Sequence, residues 1–183
     1  MIDAETFLKS YDSDSNPVIE SVNESNAESD NENAQKCLHS ALRILNAAAQ
    51  SCRSLEDKLE KKGFDRRTAE KTVTDLKKIG FLNDEAFAEN IVDKCLKKHS
   101  GIIAVRHELL RKGIEGAIAE NLISETIRQD LFRKSAFELA ETVIARNPEA
   151  NRETRLKKFW SAAKRKGHNF ETANEAAREM LCN

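Results

Sequence analysis

Three times in this chain a helix-forming stretch ends on two bases and a glycine: Lys61-Lys62-Gly63, Arg111-Lys112-Gly113 and Arg165-Lys166-Gly167. When the three glycines are superimposed, apolar residues come into register on both sides. Leu59, Leu109 and Ala163 stand four residues before the glycine, and Leu55, Val105 and Phe159 stand eight before it. Ala69, Ala119 and Ala173 follow it by six, and Val73, Ile123 and Ala177 by ten. Spacings of four keep side chains on one face of a helix, so each glycine joins two amphipathic helices. A pattern of this kind recurring about every 50 residues marks a helical repeat.

Each unit has room for a third helix upstream. In the middle unit, Asn83 or Asp84 caps a helix whose stripe is Phe87, Ala88, Ile91, Val92 and Cys95. Ser100-Gly101 interrupts it. A second stripe follows through Ile102, Val105, Leu109 and Leu110, and a third through Ile118, Leu122, Ile123 and Ile127. The first unit opens with Leu38, Ala41, Leu42 and Leu45 at one-turn spacing. Ser51 or Ser54 then caps a helix closed by Gly63, and Ala69, Val73, Leu76 and Ile79 carry the next. The third unit has stripes at Phe137, Ala140, Val143 and Ile144, at Leu156, Phe159, Trp160 and Ala163, and from Phe170 to Leu181. Pro148 ends its first helix. No segment has the alternation of a strand. The expected fold is all-α, with tandem three-helix repeats, helix-turn-helix-like, at 34–82, 83–130 and 131–183 behind a disordered acidic leader at 1–33.

Charged residues make up 33% of the chain and aromatics 5%, which favours narrow apolar stripes and an open array over one large core. No apolar run of about 18 residues is present to span a membrane. The opening MIDAETFLKSYDSDS has neither the basic start nor the apolar centre of a signal peptide, so the expected location is the cytoplasm. Cys37, Cys52, Cys95 and Cys182 lack the spacing of a disulfide framework or a zinc site. No cofactor is implied.

A net charge of −1 conceals a division. Residues 1–35 hold nine acids (Asp3, Glu5, Asp12, Asp14, Glu20, Glu24, Glu28, Asp30 and Glu32) against the single base Lys9. The remainder is therefore basic, and a basic body points to a polyanionic partner. Two readings of the leader stand: an inert tail in which Phe7, Leu8 and Tyr11 are too few to offset ordering, or a segment that occupies the basic surface and weakens binding there.

Catalysis finds no footing. There is no phosphate loop, no nucleophile motif and no metal-ligand pair at helical spacing, and His39, His99, His107 and His168 are expected on the surface beside bases. The chain is expected not to be an enzyme. Lys62, Lys112 and Lys166 suit the negative end of a helix dipole before a glycine cap. Other bases cluster beyond that need. Lys94, Lys97 and Lys98 end one helix, Arg106, Arg111 and Lys112 lie along the next, and Arg152, Arg155, Lys157, Lys158, Lys164, Arg165 and Lys166 crowd the last unit. Positive clusters repeated along an array are what a long anionic polymer requires. Aromatics are not interleaved with them, which disfavours base stacking.

The runs GFLNDEAFAENIVDKCLKK and AVRHELLRKGIEGAIAENLI resemble the RecX regulators of the bacterial RecA recombinase. KLEKKGFDRRTAEKTVTDLKKIGFLND before them and FWSAAKRKGHNFETANEAAREML after them are similar to the corresponding parts of that family, from about residue 37 to 182. The resemblance implies a cytoplasmic monomer with an elongated, curved body that lies in the groove of the RecA–DNA filament. It implies inhibition of filament extension, strand exchange and ATP hydrolysis, and so a part in recombination, DNA repair and the SOS response. Single- and double-stranded DNA alone would be bound weakly. Where the family has an aromatic after the FA motif this chain has Ile91, and bases common in the following turn are replaced around His99–Ile103. His168 stands where an apolar residue is usual. The alternative is a helix-turn-helix-like protein that binds DNA directly.

Overall fold

The computed structural model describes residues 24–181, with side chains from residue 31 onward. Every described element is a helix. The first repeat contains α1 (Glu24–Ala47), α2 (Cys52–Lys61) and α3 (Arg66–Lys78). The second contains α4 (Asp84–Leu96), α5 (Ile102–Arg111) and α6 (Gly116–Arg128), and the third α7 (Leu131–Ala145), α8 (Arg152–Lys166) and α9 (Phe170–Leu181). The fold is an all-α helical repeat.

The basic-glycine endings close their helices in the same way. Gly63, Gly113 and Gly167 have φ of +95°, +76° and +72°. The residue after each donates its amide back to the carbonyl five residues earlier: Phe64 to Leu59 at 3.3 Å, Ile114 to Leu109 at 3.1 Å and His168 to Ala163 at 3.0 Å. This is the Schellman arrangement, which left-handed glycine allows. At the other ends, short polar side chains accept orphan amides, Asp65 from Thr68, Asn83 from Ala86 and Asn151 from Thr154. Ser51 caps α2 by accepting from Ser54 at 3.1 Å.

Every residue in the glycine register is buried, none more than 3% exposed. Four residues that the spacing places in the apolar stripes are exposed. Ile79, Leu110, Ile127 and Phe170 are 47%, 53%, 52% and 74% exposed. Each lies at the margin of its stripe, where periodicity gives direction to within half a turn and the neighbouring helix decides what is covered. His168, expected at the surface, is buried at 7% exposure, because it fills the slot after the glycine that Ile114 fills in the second repeat. Of the leader, 1–23 lies outside the described residues. The helix begins at Glu24, ten residues before the predicted first repeat. Extending a nucleated helix needs little intrinsic preference, and the Glu32–Lys36 pair one turn apart at 2.8 Å adds to it.

Two compact units result: one up to Gln50 with Leu55–Leu82, the other Ser51–Ser54 with Asn83 onward. In the first, α1 packs on α3. In the second, Ala88, Val105, Leu109, Ile114 and Ile123 form one cluster, with Phe132 of α7 joining it. Leu139, Ala140, Phe159, Ala163 and Ala177 centre another. The second and third repeats are therefore one body, joined where α7 meets α4 and α6.

A candidate nucleic-acid interface

Within the second unit, α7 and α8 diverge to leave an open groove of about 570 Å³. Its walls carry Arg146, Lys157, Lys158, Arg165 and Lys166, with His99 at one side and Leu139, Val143 and Ala162 along the floor. No Asp or Glu is among the lining residues. The length of α8 makes this possible. It has 15 residues where α2 and α5 have 10 each, and on it Lys157, Ser161 and Arg165 follow at one-turn intervals, as do Lys158, Ala162 and Lys166.

Some of these bases are tied down. Lys166 donates from Nζ to the Lys98 carbonyl at 2.6 Å, and Lys157 pairs with Glu153 at 2.7 Å on the exposed helix surface. Lys158 donates to Asn147 Oδ1. Arg155 lies outside the groove lining. Its guanidinium donates to the carbonyls of Asn147, at 3.1 Å, and of Pro148, and so pins the chain after α7. Arg146 and Arg165 have no acidic partner among the described residues, which leaves them available to an anion.

The first unit holds a second groove, of about 740 Å³, between α1 and α2. Lys36, Arg43, Lys58 and Lys62 line it over a floor of Ile44, Ala47 and Ala48, again without a carboxylate in the lining. Lys58 donates to Gln50 Oε1 at 2.6 Å and Lys36 pairs with Glu32. None of Lys36, Arg43, Lys58 and Arg146 is among the bases singled out in the sequence. Their signal there is weak: Lys36 and Arg43 lie two turns apart beside the apolar stripe of α1, but without a charge cluster in the linear chain.

The middle repeat differs. Arg106 forms a two-pronged pair with Glu120 at 2.7 and 3.0 Å, and Arg111 does so with Glu108 at 2.8 and 2.6 Å. Hydrogen bonding from the arginines holds both carboxyls below their usual range. Exposed pairs of this type stabilise a fold by little, but they cancel local charge. Lys94, Lys97, Lys98 and Lys164 are exposed and Lys112 half-buried, and none of them lines either groove. The structure thus brings together Lys157, Lys158, Arg165 and Lys166 and disperses the rest.

No group of His, Cys, Asp and Glu able to hold a metal exists among the described residues, and no described helix is long and apolar enough to cross a membrane. Burial raises the Cys37 and Cys95 thiols, leaving both as small apolar fillers.

Residues 37–76 match the model of the first three-helix domain of RecX, and 83–123 that of the second. A regulatory protein RecX of Clostridium perfringens (strain SM101 / Type A) is 30% identical over 150 residues, which cover 81% of this chain and 70% of that one. The chain belongs to the RecX family. Another RecX-family relative, from Chlorobaculum tepidum, is 29% identical over 145 residues, covering 79% of this chain and 88% of its own. The crystal structure of RecX from Lactobacillus salivarius has a TM-score of 0.71 at 20% identity, covering 83% of this chain and 99% of that one. A second regulatory protein RecX structure has a TM-score of 0.73 at 17% identity, covering 96% and 88%. At such identities the structures speak for the fold.

Proposed function

We propose that this RecX-family chain is a cytoplasmic, monomeric regulator of the RecA recombinase, without chemistry of its own, that binds the groove of the RecA–DNA filament. In that position it restrains filament extension, strand exchange and ATP hydrolysis, and so modulates recombination and repair. The observation that carries the reading is the groove of the third repeat, where Arg146 and Arg165 stand without an acidic partner among the described residues, beside Lys158 and beside Lys157 and His99, which Glu153 and Glu138 meet from outside the lining. Such a groove suits a phosphodiester backbone and reads no base, as a protein following a filament of any sequence requires. Relatives named regulatory protein RecX support a regulatory role. The test is RecA ATP hydrolysis on single-stranded DNA with substoichiometric amounts of this protein. A falling rate is expected, and an unchanged rate removes the proposal.

Direct binding to duplex DNA is the second reading, favoured by the helix-turn-helix-like repeats. It requires tight association with naked duplex and a steep loss of affinity with salt. The filament reading requires weak binding to naked DNA and much stronger co-sedimentation once recombinase and nucleotide are added.

A further inference from the structure

The first-unit groove has a strongly basic lining and a ready acidic partner on the same chain. Lys36, Arg43, Lys58 and Lys62 surround it, with no Asp or Glu in the lining, although the chain contains 31 acids. Residues 1–23, joined directly to α1 at Glu24, carry Asp3, Glu5, Asp12, Asp14 and Glu20 against Lys9. We propose that this acidic segment docks in the groove between α1 and α2 and must be displaced before an external polyanion can enter.

The complementarity extends beyond charge. Ile44, Ala47 and Ala48 form an apolar floor. The acids of the segment flank Phe7, Leu8 and Tyr11, the side chains such a floor would receive. Too few to fold alone, these residues would gain a preformed surface, so that only the segment's own ordering remains to be offset. Reach is no obstacle. From Glu24 to Lys36 is about 18 Å along a helix, while 23 residues of extended chain span up to about 75 Å. The tether also explains the choice of groove. A segment attached to the first unit meets that unit's groove at an effective concentration on the order of millimolar, without help from any second molecule.

The inference rests on the polyanion reading of the grooves, but its first test does not. The full-length protein, alone, is treated with a zero-length carbodiimide and the linked peptides are identified by mass spectrometry. Amide links from Asp3, Glu5, Asp12 or Asp14 to Lys36, Lys58 or Lys62 are expected, with suppression in 1 M salt. Leader carboxylates linked only to lysines elsewhere, or not linked at all, would overturn the docking whatever the recombinase assay shows. In the second test, the full-length variant Asp3→Asn/Glu5→Gln/Asp12→Asn/Asp14→Asn should bind oligothymidylate about two- to tenfold more tightly at low salt. Lys58→Glu/Lys62→Glu in the same background should remove that gain. An affinity equal to that of the unmodified chain would overturn the competition. Links without any effect on RecA would leave the docking intact and remove only the filament reading.

Discussion

The amide of Gly101 donates to the carbonyl of Lys166 at 2.9 Å, so the start of α5 is capped by the end of α8. Ile103 does the same with Gly167 at 3.0 Å, and Ser135 Oγ donates to the Ser100 carbonyl at 3.1 Å. Orphan donors of one helix thereby satisfy orphan acceptors of another, which requires the two backbones to touch. A Cβ on Gly101 would lie 2.3 Å from His168 Cα, and one on Gly167 2.5 Å from the Ala104 nitrogen. Gly101→Ala and Gly167→Ala should therefore each destabilise the second unit by about 3 kcal/mol or more, seen in urea unfolding. Gly63, with φ +95° but nothing within 4 Å of a Cβ, should lose only about 1 kcal/mol on the same change. Equal losses at Gly63 and Gly167 would show that the capping conformation alone sets the cost.

His168 makes the same junction sensitive to acid. Its Nε2–H donates to the His99 carbonyl at 3.0 Å, while Nδ1 is buried without a partner. Burial, with His99 and Lys166 adding repulsion, lowers its pKa below the ordinary value of 6.5. The folded state thus binds fewer protons than the unfolded one just below pH 6.5. This contribution is complete above the unfolded value and is lost as pH falls from there through the lowered one. Thermal stability should begin to decline as pH falls below about 6.5, the ordinary histidine value, and go on declining toward the lowered one. In His168→Ile, which restores the residue type of the second repeat, the profile should be flatter across that window.

The two classes of arginine should separate in binding. Reversing Arg146 and Arg165 to Glu should weaken binding to the filament and flatten its salt dependence by about one unit of slope for each phosphate no longer neutralised. Arg106→Gln and Arg111→Gln, whose parent side chains are paired with Glu120 and Glu108, should change affinity by less than about twofold. If all four changes act alike, the positive surface works as a diffuse field and the groove has no special part.

Phe159 is fully buried at the centre of the third repeat, against Trp160 with ring centroids 5.9 Å apart. Phe159→Ala should cost about 3–5 kcal/mol, through the apolar burial it removes and the cavity it leaves behind. Leu109→Asp should go further and unfold the second unit, since an unpaired carboxylate would replace a fully buried leucine. Loss of the helical circular dichroism transition at ordinary temperatures is the readout.

Much of the fold is legible in the sequence because it is local. The three glycines, the caps at Ser51 and Asn83, and the buried register from Leu55 to Ala177 follow from one-turn spacing, from short polar residues at helix starts and from which residues tolerate a left-handed cap. The margins at Leu110 and Ile127 are not legible in this way, because a stripe points inward there but no neighbour covers it. The candidate interface is legible only in part. Lys157, Lys158, Arg165 and Lys166 stand close in the chain and form a visible cluster, whereas Arg146, Lys36 and Arg43 join their grooves only once two helices are side by side.

By itself, then, the linear order of residues determined the helices from the first repeat onward, where they stop, and which face of each turns inward away from its margins, because these depend on neighbours within one or two turns. It did not determine the extension of α1 back to Glu24. Tertiary structure decided which charges remain free. Arg106 is neutralised by a glutamate 14 residues away, and Lys166 reaches a carbonyl 68 residues away, while Arg165 beside it has no acid to meet among the described residues. It also decided that His168 would be buried under the turn at His99. Charge and desolvation act through space, and only the packed chain sets those distances.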